Sequence, residues 1–118
     1  MTFAKRLTVP FTTAADGSAT VYSEVANGSV YSIRYKYTDA DTGADFTITA
    51  EDTLQPIIVV TNAGTASIQW QPRLPVHDAA AAAITGGYAA PLIANERIKI
   101  VITGGGNVKS GTFEIVIA

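Results

Sequence analysis

The chain has 118 residues, 47% of them hydrophobic and 15% charged, with a net charge of -2, a single His and no Cys. That length makes one domain, 1-118, able to bury roughly two thirds of its unfolded surface. The missing cysteines exclude a disulfide framework and thiolate metal sites, and the mildly acidic balance, with a pI of about 5.1, gives no support for nucleic-acid binding, which usually needs a basic face.

Apolar runs such as Pro56–Val60 and Ala79–Ile84 are far shorter than the ~20 residues of a membrane-spanning helix, so no membrane partner is expected. The start, Met1–Arg6 followed by Leu-Thr-Val-Pro-Phe-Thr-Thr, is too polar for a signal-peptide core. Thr, Ile and Val number 15, 12 and 10 against only 4 Leu. Branching at Cβ suits a pleated surface better than a helical turn. The fold class is therefore all-β.

In chain order, residues 1-6 read as a flexible N-terminal arm. Leu7, Val9 and Phe11 then alternate with polar neighbours, and Pro10, which lacks an N–H, calls for a sheet edge or a bulge. Asp16-Gly17 marks a turn before a strand over Ala19–Val25, and Asn27-Gly28 reads as a tight hairpin turn. Ser29–Tyr37 follows, with Tyr31, Ile33, Tyr35 and Tyr37 on one face and Ser32, Arg34 and Lys36 on the other. After a turn at Asp39–Asp45, Phe46, Ile48 and Ala50 form the next apolar face.

Ile57–Val60 is a continuous apolar run, expected to be buried on both faces. Asn62-Ala63-Gly64 turns the chain into Ala66, Ile68 and Trp70, and Pro72 and Pro75 end that element. Ile98, Ile100 and Ile102, a glycine-rich loop at Gly104–Asn107, and Phe113, Ile115 and Ile117 complete the pattern. About eight strands predict an antiparallel β-sandwich or barrel.

One stretch, 73-95, shows no alternation and reads as a long irregular loop. Asp78 could cap a short helical turn over Ala79–Ile84, stopped by Gly86-Gly87 and Pro91. Six residues do not hold a helix alone. The stretch is then either a surface crossover or an arm that docks on a neighbouring subunit.

The candidates for chemistry are few. Lys109-Ser110 after three glycines suggests a phosphate-binding loop, but Val108 stands where glycine is required and a strand follows instead of a helix. Asp39, Asp41 and Asp45 resemble the start of a calcium loop, with Gly43 one position early and Ala50 in place of the closing carboxylate. His77 is the sole histidine, with no Cys nucleophile and no nucleophile elbow beside it. The expectation is a protein that is not an enzyme, with no catalytic residue, cofactor or metal. Tyr31, Tyr35, Tyr37 and Trp70 serve equally as a core or as a sugar-stacking platform, and the core reading is favoured.

Several segments together carry a resemblance: Gly28–Lys36, Asp45–Thr49, Pro72–Asp78, Ala94–Ile100 and Gly104–Phe113. The arrangement resembles small virion structural proteins of tailed bacteriophages and prophages, over nearly the whole chain beyond residue 17. The resemblance implies a capsid decoration (cement) protein on the capsid surface, made in the host cytoplasm. Its expected partners are the major capsid protein and itself, as a homo-oligomer such as a trimer. Docking is expected through Pro72, Arg73, Pro75, His77, Ala81, Ile84, Tyr88, Pro91 and Leu92, with Thr2, Lys5 and Arg6 as a second clasp. A tail, neck or baseplate protein and a carbohydrate-binding adhesion module are the alternatives.

Overall fold

The computed structural model describes residues 4–118, as eleven strands and no helix. They are β1 (Lys5–Thr12), β2 (Ala19–Tyr22), β3 (Ala26–Tyr37), β4 (Asp45–Ala50), β5 (Pro56–Val60), β6 (Ile68–Trp70), β7 (Leu74–His77), β8 (Ala83–Ala89), β9 (Leu92–Glu96), β10 (Ile98–Thr103) and β11 (Ser110–Ile117). Every pairing is antiparallel. One sheet runs β1-β11-β3-β6, with β9 also on β3; a second runs β2-β10-β4-β5; β7 and β8 pair only with each other. The count exceeds the expected eight because the stretch 73-95 is itself built of strands.

The alternation read from the sequence sets the core. Leu7, Val9, Phe11, Phe46, Ile48, Ile98, Ile100, Ile102, Phe113, Ile115 and Ile117 all point between the two large sheets and are buried. At the centre, Tyr35 packs on Phe46 at 4.8 Å between ring centroids and on Phe113 at 5.5 Å, and Phe46 meets Phe113 edge-on at 5.0 Å. Edge-to-face rings at such spacing add attraction beyond the area they bury. Pro10 lies in β1, an edge strand, where no ladder bond is asked of its nitrogen.

Two elements were misjudged from the sequence. Asn27-Gly28 is no hairpin but part of a long strand, with a register irregularity against β9 between Ala26 and Asn27. Gly28 has φ +130°, and a Cβ there would sit 2.7 Å from Ile117 Cγ2 and 3.0 Å from Ala118 O, so glycine is required by the close approach of β11. The Gly104–Lys109 loop joins one sheet to the other, and buried Thr13 holds it, donating to Gly106 O (2.7 Å) and accepting from Lys109 N (2.8 Å). Pro56–Val60 forms an edge strand rather than a doubly buried one, with Val59 65% exposed.

The lateral order of the sandwich follows from two contacts. β1 lies against β2 along one side. Tyr35 of β3 rests on Phe46 of β4. Therefore β6 beyond β3 and β5 beyond β4 border the opposite side together. Near there Glu96, at the end of β9, accepts from the amides of Asp52 (2.9 Å) and Thr53 (3.1 Å) and closes the β4–β5 turn against the first sheet.

Candidate docking arm

β6 and β9 share one flank of β3. Trp70 lies opposite Ile33, Leu92 lies opposite Ser29, and between these points the chain leaves the sandwich as the β7–β8 hairpin. The root is fixed by two prolines that cannot extend a ladder. Pro72 and Pro91 are both buried, and Pro91 O accepts from Val30 N at 2.8 Å. At the same level β3 carries a bulge: Ile117 opposes Val30 while Val116 opposes Ser32, so Tyr31 is the extra residue and turns outward. The Arg73 guanidinium covers its ring at 5.5 Å and donates to the carbonyls of Tyr31 (3.3 Å) and Pro72 (2.6 Å). Tyr31 was missed as a root residue because the unbroken alternation of Ser29–Tyr37 hides a bulge.

Beyond the root the hairpin stands in solvent. Leu74 and Val76 are half-buried against β8, where Gly87 makes room: a Cβ there would lie 2.8 Å from Val76 Cγ2. The expected helical turn over Ala79–Ile84 does not form. Asp78 instead accepts from the amides of Ala80 (2.8 Å) and Ala82 (3.1 Å), Ala81 adopts φ +65°, and β8 begins at Ala83. A side-chain turn at Asp78 satisfies the tip without a helix. Ile84, Tyr88 and, at the root, Leu92 are exposed, Tyr88 at 65%. A two-stranded hairpin is marginal in water on its own, and the apolar side chains it exposes make it the candidate docking surface.

The expected docking residues therefore divide. Pro75, His77, Ala81, Ile84 and Tyr88 lie together on the arm, and Leu92 at its base. Pro72, Pro91 and Arg73 build the root, and the two prolines are too buried to reach a partner. Thr2 lies outside the described residues. Lys5 and Arg6 belong to β1, opposite Ile117 and Val116, whose own partners on β3 are Val30 and Ser32, so they stand level with the hairpin root but two strands across the sheet from β3. Lys5 pairs with Glu24 at 2.9 Å, an exposed contact of small energetic weight, and Arg6 approaches the half-buried Glu114 at 3.7 Å.

The remaining candidates disperse. Asp39 accepts from Ser110 N (2.7 Å) and Asp45 from Asn62 N (2.9 Å), so the carboxylates of that loop serve separate amides. Among the described residues no three His, Cys, Asp or Glu side chains converge. The Asp78 carboxylate is committed to the hairpin tip rather than to His77. Of the rings, Tyr35 is fully buried, Trp70 is half-buried and Tyr31 lies under Arg73, so they share no exposed plane. Glu51 and Arg97 form a bidentate pair, Nε donating at 2.6 Å, with Arg97 also over Tyr22 at 4.2 Å. That hydrogen bond holds the Glu51 carboxyl below the usual glutamate range.

No protein-family model matches the chain, and no curated protein or solved structure matches it either.

Proposed function

We propose that this chain is a bacteriophage virion structural protein, a capsid decoration protein whose β-sandwich holds the β7–β8 arm against the major capsid protein. One observation carries the reading: an uncharged hairpin strand with exposed Ile84 and Tyr88 stands on a proline-clamped root and, among the described residues, pairs with no strand but its hairpin partner. The similarity of Gly28–Lys36, Pro72–Asp78 and Gly104–Phe113 to small virion proteins supplies the context.

A decoration protein recognises a surface that exists only after assembly, and its binding stabilises that surface by mass action. Contacts that are weak singly multiply when repeated at symmetric sites through effective concentration. A marginal hairpin that becomes ordered against its target fits that task, and a catalytic cleft is not needed for it. The test is the copy number and position of the protein in purified particles, by quantitative electrophoresis and cryo-electron microscopy. A copy for most capsid subunits, with β7–β8 in contact with the shell, is expected. A single ring of copies at the neck or tail would replace the capsid assignment.

A further inference from the structure

The outer faces of the two large sheets differ in charge. On the first sheet the side chains that alternate with the core residues turn outward in three cross-strand rows: Arg6, Val116 and Ser32; Thr8, Glu114 and Arg34, extended by Gln69; and Pro10, Thr112 and Lys36. Tyr31, bulged outward beside Ser32, adds Arg73 over its ring at the border with the hairpin root. On the second sheet the middle row is Thr20, Val101, Thr47 and Val59, without a charge. The first face thus gathers four of the chain's eight Lys and Arg but only Glu114 of its ten acids, a local excess of positive charge on a chain whose net charge is -2.

Arg6, Ser32, Arg34, Gln69, Glu114 and Val116 line a depression of about 150 Å³ on this face. Half-buried Glu114 lies between the two guanidiniums, 3.7 Å from Arg6 Nη1 and 3.8 Å from Arg34 Nη1. Its charge holds both arginines at a distance too long for a hydrogen bond, so their N–H forks stay available. Ser32, 5% exposed, brings a hydroxyl donor to the lining. We propose that this face receives the carboxylates of an extended acidic segment on the protein that the arm meets. Guanidinium forks match carboxylate geometry, and Arg34 and Lys36, alternate residues of one strand, stand about 7 Å apart, the spacing of alternate side chains in an extended segment. A nucleic acid suits the face less, because its outward ring, Tyr31, is covered by Arg73 and offers no base a platform. Charges of this kind steer encounter and fix orientation, while the apolar arm supplies the buried contact. The identity of the partner rests on the docking reading above; the chemistry of the face is tested without it.

The experiment is an NMR titration of backbone amides in the full chain with an oligoglutamate peptide, at about 20 and about 200 mM salt, repeated on Arg34→Gln/Lys36→Gln and on Glu114→Gln. Perturbed amides are expected along Arg6–Thr8, Ser32–Lys36 and Glu114–Val116, with binding at least about fivefold weaker at the higher salt. The double variant changes two exposed side chains, so the fold should persist, and it should bind at least about fivefold more weakly. Glu114→Gln removes the competing carboxylate and should bind more tightly. No binding, perturbation away from this face, affinity unmoved by salt or by the double variant, weaker binding of Glu114→Gln, or tighter binding of duplex DNA than of the peptide would overturn the proposal. The arm takes no part in this titration, so a negative result leaves the docking reading to be decided by the protein's position in particles.

Discussion

Tyr35 is the residue whose substitution tests the description of the core most sharply, because the expected sign is unusual. Its ring is fully buried among Phe11, Phe46 and Phe113, and its hydroxyl has no hydrogen-bond partner. A buried polar group left unpaired costs about 1–3 kcal/mol. Tyr35→Phe removes that cost and leaves a void the size of one oxygen, which at about 24 cal/mol per Å³ takes back only a few tenths of a kcal/mol. The net expectation is a gain of about 1 kcal/mol, and a rise in Tm of about 4 °C for a domain of this size. Urea denaturation followed through Trp70 fluorescence should show a higher midpoint at unchanged slope.

A second readout comes from pH. Burial pushes the Tyr35 hydroxyl above the usual tyrosine range. The unfolded chain therefore releases this proton first, and the wild type loses stability as pH rises through about 10. The phenylalanine variant lacks that share of the alkaline loss. A lower midpoint with an unchanged alkaline limb would refute the reasoning, since it would mean that the hydroxyl is well satisfied where it lies.

Three other changes follow from the same structure. Replacing Leu74–Ala89 by a short Gly/Asn turn, while keeping Pro72, Arg73 and Pro91, should leave urea stability within about 1 kcal/mol but abolish cosedimentation with undecorated capsids; extending the excision through Pro91 should cost stability, because Pro91 O bonds Val30 N. Glu51→Gln should leave stability at neutral pH lower and flatten the acid limb: the lowered Glu51 carboxyl contributes above the usual glutamate range and that contribution fades as pH falls through it, as melting curves along a pH series would record. Gly28→Ala should destabilise by about 1–3 kcal/mol through the positive φ alone, with added crowding against Ile117 Cγ2, and chemical denaturation measures it.

The period-2 pattern was legible wherever a strand has one buried face, and β4, β10 and β11 match it residue for residue. It failed where the physics is not periodic. The bulge at Tyr31 adds one residue opposite β11 and leaves no mark in a run of alternating aromatics. The apolar run Pro56–Val60 reads the same whether two neighbours or one flank it, so its place at an edge was hidden. In 73-95 the Ala run favours helix by propensity, but Asp78 and the positive φ of Ala81 complete a hairpin turn that sets the flanking strands in register. The burial of Pro72 and Pro91 was not legible either, because it depends on where the root packs in the folded sheet and not on the local sequence.

The core and the proposed docking arm rest on different side chains here. The core is made by β1, β3, β4, β10 and β11, whose inward residues are almost wholly excluded from solvent, whereas β8 contributes none of them. The two meet at the root, where Pro91 O accepts from Val30 N and Arg73 covers the bulged Tyr31. A change at Ile84 or Tyr88 shares no packed neighbour with Ile48 or Phe113, so its effect on unfolding should add independently to theirs. A change at Arg73 differs in kind: it loosens the angle at which the arm leaves β3 without removing any apolar surface from β8. If the arm docks as proposed, it must meet its receiver in one orientation, so Arg73→Ala is expected to weaken docking through geometry while leaving the core's stability unchanged.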